Sequence, residues 1–249
     1  MSDLAGGSPT VNAEAGRAHE KVRSLRADAW YELRRRPVFW FSMALILLFA
    51  AMAIAPGLFT DTDPRLAVLS EARAAPSSEH WFGRDVQGYD LYSRCVHGAR
   101  ASILVGISAT VGTALIGSTL GLIAGYARGV ADALVSRFAD MFFALPMILG
   151  AIIILTSLPA PGSYVMVILR VVVVFWVLGW PSIFRLMRAS VLQVAPHDYV
   201  QAARALGASP LHVVRAHILP NALGPVIVVS TINLGVFIAA EASLSFLGI

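Results

Sequence analysis

At 249 residues, with 57% apolar and 14% charged side chains and a mean hydropathy of +0.71, the chain is too apolar for a water-soluble domain and reads as a membrane protein. A formal charge of +4 and a pI near 9.6 do not indicate nucleic-acid binding, because the basic residues flank apolar segments instead of gathering with aromatics in one patch. One cysteine, Cys95, excludes an intrachain disulfide, and the scattered histidines lack the spacing of zinc ligands.

Residues 1–37 form a polar tail, Ala/Gly/Ser-rich and then basic, ending in Arg34, Arg35, Arg36 and Pro37. The apolar run 38–56 follows, long enough at ~1.5 Å per residue to cross a ~30 Å hydrocarbon core. The polar leader ahead of it is far too long for a cleaved signal peptide. Residues 57–100 return to mixed polarity, with Pro56-Gly57, Asp61, Asp63, Pro64 and Pro76-Ser77-Ser78 marking a sizeable loop. Further apolar runs at 102–126, 141–158, 164–184 and 226–247 make five expected spans in an all-α, polytopic fold, with 101–249 as the core domain. Pro146 and Pro181 inside these runs are expected to kink their helices, and Arg170 is expected to snorkel to an interface without a partner. Thirteen Lys and Arg residues fall on the side of the tail and of the loops after spans two and four, against five in the 57–100 loop. That bias places the N-terminus and the 185–225 loop in the cytoplasm and 57–100 outside.

The 185–225 loop is the most informative stretch. Tyr199, Ala202, Ala203 and Leu206 follow i, i+3, i+4, i+7 and predict a short helix with one small, apolar face, Val200, Gln201, Arg204 and Ala205 filling its other positions. Gly207 stands where a helix C-cap needs positive φ, and after Ala208 the pair Ser209-Pro210 supplies an N-cap and first position for a second helix, which Pro220 is expected to end. Two short helices at an angle would project an apolar face that needs something to bury against, the membrane domain itself being the plainer choice. Gly117, Gly121, Gly125 and Gly129 recur every four residues along the second span and are expected to let another helix approach closely. In the fifth run Ser230, Asn233, Phe237 and Glu241 fall within ~80° of arc at ~100° per residue. This mostly polar stripe should avoid lipid, serving either a translocation pathway or hydrogen bonds between helices.

The segment QAARALGASPLHVVRAHILPN, Gln201 to Asn221, resembles the EAA loop of ATP-binding-cassette importer permeases, with Gln201 in place of the family's Glu and His217 in place of its Ile. HWFGRDVQGYDLYSRCVHGARAS, His80 to Ser102, is similar to the segment before the second span in the dipeptide, oligopeptide and nickel group, although Arg84 and Tyr89 depart from its pattern. EASLSFLG, Glu241 to Gly248, matches that group closely. The resemblance covers nearly all of the chain after the basic tail and points to the C-type subunit. It implies a type I importer permease of the bacterial plasma (inner) membrane, five spans in this chain and a sixth beyond it. It also implies that Tyr199 to Ser209 forms the coupling segment that docks on a separate ATPase. The partners it implies are a homologous permease subunit, two cytoplasmic ATP-binding subunits that hold ATP and Mg, and an extracytoplasmic substrate-binding protein, with no cofactor on this chain. Peptide uptake is the expected function and nickel or another small solute the alternative. An enzyme is disfavoured by the absence of a Walker-type phosphate loop, of H-E-x-x-H and of Gly-x-Ser-x-Gly. An ion-coupled secondary transporter should show inverted repeats, and no convincing repeat is visible.

Overall fold

In hydrocarbon every backbone N–H and C=O must be satisfied within the protein, which confines apolar runs of this length to helices. The computed structural model describes residues 25–159 and 162–248 and contains helices, short turns and no strand among them. The beginning of the predicted tail, with Arg17, Lys21 and Arg23, and the chain end at Ile249 lie outside the described residues. The chain divides after Phe49 into two units.

The first unit holds α1 (Leu25–Arg35) and most of α2 (Pro37–Ile54). The helices part at Arg36, as expected of a residue before proline, which is pushed out of helical geometry by the ring that follows. Trp40 Nε1 donates to the Arg34 carbonyl at 2.9 Å and Trp30 sits edge-on to Phe39 at 5.9 Å, so aromatic side chains brace the corner. At 18 residues α2 is about 27 Å long, enough to span.

The second unit is built on three long helices, α3 (Leu91–Ala127), α6 (Tyr164–Val194) and α9 (Leu219–Phe246), which pack on one another. Their register can be read from the contacts. Trp176 Nε1 donates to the Ser108 carbonyl at 2.8 Å, a Cβ on Gly117 would meet Ile183 and Trp180, and one on Gly125 would meet Val191, so α3 and α6 run parallel. Ser102 bonds Glu241 and Gly106 lies against Ile238 and Leu234, so α9 runs antiparallel to both. Parallel α3 and α6 oblige residues 129–157 to travel back along the bundle. They do so as α4 (Gly129–Phe143) and α5 (Met147–Ser157), bent by 84° at Ala144 to Pro146. Asp132 meets Arg188, Phe142 meets Trp180 and Gly150 meets Leu178, so the pair follows α6 in the opposite direction. The expected third span, 141–158, is therefore replaced by the bent pair α4 and α5, which starts twelve residues earlier, at Gly129, and breaks at Ala144 to Pro146. Pro146 does more than kink a helix: it has no N–H to return to the Phe142 carbonyl, and a new helix starts after it.

Helix ends also differ from the expected spans, because hydropathy marks the edge of the hydrocarbon and not the edge of the helix. α3 begins eleven residues before the predicted 102, where Asp90 caps it by accepting from the Ser93 N–H at 2.7 Å. α6 continues to Val194, so the predicted 185–225 loop shrinks to 195–209. The second loop helix is not ended by Pro220. Instead α8 (Pro210–Val213) runs through a π-helical turn, Val214–Ile218, into α9, making one 37-residue span over Pro210–Phe246. The wider π turn accommodates the Pro220 ring, and Asn221 Nδ2 donates to the His217 carbonyl at 2.7 Å.

The loop between α2 and α3 is pinned by polar contacts. His80 bonds the cap residue Asp90 at 2.7 Å, and buried Arg84 pairs with Glu71 at 2.9 Å and donates to the Gly88 carbonyl at 2.7 Å. The departure at Arg84 thus has a structural use. Arg84 ties three parts of this loop together.

Candidate functional site

At the end of the bundle where α6 turns into α9 lies α7 (Asp198–Ala205), which starts one residue before the predicted Tyr199 and ends one residue before the predicted Leu206. Asp198 in its first turn and Arg204 in its last suit the helix dipole. Val200 is fully buried, in a cluster with Met187, Val191, Val213, Ile218 and Ala222, and Ala203 and Ala208 pack beside it. The C-terminus closes with the N–H of Ala208 on the Ala203 carbonyl at 3.1 Å and that of Gly207 on Arg204 at 3.0 Å. Gly207 takes φ +83° here, the left-handed conformation that the sequence requires of it. Ser209 Oγ then accepts from the His212 N–H at 3.4 Å, with Pro210 at the first position of α8.

The predicted face does not act as one. Ala203 turns inward with Val200, whereas Tyr199, Ala202 and Leu206 remain exposed, Leu206 at 88%. Leu211, 66% exposed, lies just beyond. Sequence periodicity missed Val200 as the anchor, although the i, i+3 pair Val200 and Ala203 carried that signal. Gln201 Nε2 donates to the Ala195 carbonyl at 3.0 Å, a bond that an ionised Glu cannot make because a carboxylate only accepts. The Arg204 guanidinium lies 5.4 Å from the Tyr126 ring centre and links α7 to the end of α3. α7 is thus a short helix fixed from beneath, with an apolar ridge left uncovered. Such a ridge can bury against a second surface without first having to be ordered.

The glycine stripe separates at its last member. Gly117, Gly121 and Gly125 meet α6, where an added Cβ would fall 2.7 Å from the Trp180 oxygen, 2.6 Å from the Phe184 oxygen and 2.9 Å from Val191 Cβ respectively. A Cβ on Gly129 would meet nothing within 4 Å, and the residue instead turns the chain from α3 into α4 at φ +64°.

The stripe on α9 faces the chain's own bundle. Phe237 is buried, stacked on Phe175 at 5.3 Å and set against Gly179. Glu241 accepts from Ser102 Oγ at 2.7 Å. Ser230 borders a groove of about 590 Å³ between α3 and α9, opposite Thr110, and Asn233 is half-buried. The structure thus puts Phe237 and Glu241 in contacts between helices and leaves Ser230 beside open space. Arg170, expected to lack a partner, donates to the Pro159 carbonyl.

Two ion pairs escaped sequence reasoning. Arg188 pairs through two nitrogens with Asp132, and Arg185 Nη2 meets Asp140 Oδ1 at 2.6 Å. Asp132 and Asp140 are eight apart, and Arg185 and Arg188 three apart, so each pair of like charges shares one helix face, a spacing that could have been matched in sequence.

The family described as "Binding-protein-dependent transport system inner membrane component" matches residues 117–249, and "N-terminal TM domain of oligopeptide transport permease C" matches residues 24–76. The chain is 33% identical over 243 residues to the dipeptide transport system permease protein DppC of Bacillus subtilis (strain 168), covering 96% of this chain and 74% of that protein. It is 34% identical over 236 residues to the oligopeptide transport system permease protein OppC of the same organism, with 95% and 75% covered. It is 33% identical over 231 residues to the glutathione transport system permease protein GsiD of Pectobacterium atrosepticum, with 92% and 75% covered. Among solved structures, an amino acid ABC transporter with histidines overlaps 59% of this chain and 69% of its own, at 16% identity and a TM-score of 0.47.

Proposed function

This chain belongs to the family of binding-protein-dependent transport system inner membrane components, and on that premise we propose that it is the C-type permease subunit of an ATP-driven importer of dipeptides or oligopeptides. It forms part of the pathway together with a homologous permease subunit. Two cytoplasmic ATP-binding subunits, carrying ATP and Mg, bind at the α7 end, and an extracytoplasmic substrate-binding protein delivers the peptide at the other. The positive-inside bias supports this orientation, with the N-terminus and α7 in the cytoplasm.

The observation that carries the reading is α7 itself. Its apolar ridge of Tyr199, Ala202 and Leu206 stands uncovered, while Val200 is locked among α6, α8 and α9. A force on the ridge is therefore delivered to the inner ends of two spans. ATP-driven closure of the ATPases would move α7 and, through Val200, shift α6 against α9.

The test is uptake of a labelled dipeptide into vesicles holding the complete transporter, with ATP on the ATPase side. Uptake that needs ATP, the binding protein and this chain is the expected result. Uptake that follows an ion gradient and ignores ATP would make the protein a secondary transporter.

A further inference from the structure

Movement of α7 reaches α6 through Val200, yet the fold attaches a second element to the same stretch of α6. Arg188 grips Asp132 with two nitrogens, and Arg185 pairs with Asp140 at 2.6 Å while its guanidinium lies 3.7 Å from the Phe143 ring centre. Both acidic residues belong to α4, and Val135 and Ala139 between them, with Phe142 just beyond, pack with Trp180 and Phe184 of α6. Eleven residues beyond Asp132 and three beyond Asp140, α4 ends at Phe143, ahead of the 84° elbow of Ala144 to Pro146, which no α-helical bond from Pro146 can bridge. α4 is thus held to α6 along its length and released from α5 at its end.

We propose that the Asp132–Arg188 and Asp140–Arg185 pairs are positioning residues for transport: they make α4 move with the inner end of α6, so that a displacement of α7 flexes the α4–α5 elbow. This rests on the reading of the chain as an ATP-driven permease. The geometry favours linkage over simple cohesion. Apolar packing of α4 on Trp180 and Phe184 would hold it to the bundle, but packed side chains can slide, whereas a two-nitrogen Arg–carboxylate grip fixes register as well as distance. The Asp132–Arg188 pair is also well shielded, its side chains 16% and 34% exposed, so water screens it less than a surface pair.

The experiment uses the complete transporter in lipid nanodiscs and measures peptide transported per ATP hydrolysed for native protein, Arg188→Ala, Asp132→Ala and the exchange Asp132→Arg/Arg188→Asp. The expected result is retention of the ATPase subunits and continued hydrolysis in both single variants, with transport per ATP falling about tenfold, and recovery of most of it in the exchange. Unchanged transport per ATP in the single variants overturns the proposal, as does a proportionate loss of transport and hydrolysis that the exchange does not rescue. Should the substitutions prevent insertion, spin labels at exposed positions decide. The separation of labels at Val130 and Gln193 should stay constant between nucleotide-free and ATP-bound complexes while that of Val130 and Ile153 changes. A changing first distance or a constant second one refutes the linkage. A native complex that holds no ATPase would instead remove the underlying functional reading, and the proposal with it.

Discussion

A Cβ on Gly121 would sit 2.6 Å from the Phe184 carbonyl oxygen and 2.8 Å from Met187 Cβ, and neither atom is the free end of a flexible side chain. Gly121→Ala must therefore separate α3 from α6, at a cost of about 1–3 kcal/mol as for other overpacked interiors. Gly129→Ala meets no atom within 4 Å but must hold φ +64°, so about 1 kcal/mol is expected from backbone strain alone. Thermal unfolding in detergent should rank Gly121→Ala as the more damaging, and the reverse order would refute the assignment of the two glycines to packing and turning. Gly117, Gly121 and Gly125 could be read from sequence because a four-residue repeat on a helix has one geometric meaning. Gly129 continues the repeat in sequence only, since the helix ends before it. Gln201 shows a second limit of the letters alone: its match to a Glu position is visible in sequence, but its donation to the Ala195 carbonyl depends on the turn after α6. Gln201→Glu should weaken that turn by roughly 1 kcal/mol and loosen α7, measurable as faster proteolysis between 195 and 209.

At the scale of elements, the loop between α2 and α3 carries a pH response. The Asp85 carboxyl, which desolvation would raise, is held below the usual aspartate range by the N–H groups of Tyr89 and Gln87 and by Arg94 at 2.9 Å. A carboxyl with a lowered folded pKa stabilises the fold above its unfolded pKa, and that contribution is lost as pH falls through the lowered value. Acidification below about pH 4 should therefore increase cleavage of this loop by pepsin, and Asp85→Asn should remove the acid step. Cleavage independent of pH in the native chain would show that the Asp85 contacts do not hold the loop. The crossings were legible to within one, four long apolar helices and the bent α4–α5 pair against five expected, because hydrocarbon thickness sets a minimum length. Their ends were not, since α3, α6 and α9 all continue past the apolar runs under the control of caps and packing. The elbow between α4 and α5 was half visible: Pro146 announced a disturbance, but its size follows from the parallel register of α3 and α6, which no local pattern encodes. α8 illustrates the opposite error. Pro220 looked like a stop, and a π turn carried the helix through it.

For the whole molecule, the three-helix frame, the broken crossing and α7 form a chain of attachments from one end of the bundle to its middle. α7 seats Val200 among α6, α8 and α9, α6 grips α4, and α4 ends at the 84° elbow. The family resemblance was readable in three sequence segments, but the division of α7 into an inward anchor and an outward ridge needed the fold. The central claim is that this ridge receives the ATPase. It is tested most directly by purifying the full-length permease with its neighbouring gene products, comparing the native chain with Leu206→Asp, a change at a position 88% exposed. The account predicts that the variant inserts and unfolds like the native chain yet retains at least about tenfold less ATPase, as expected when an exposed apolar anchor is replaced by a charge. A Leu206→Asp permease that keeps its ATPase and imports peptide at the native rate would contradict it.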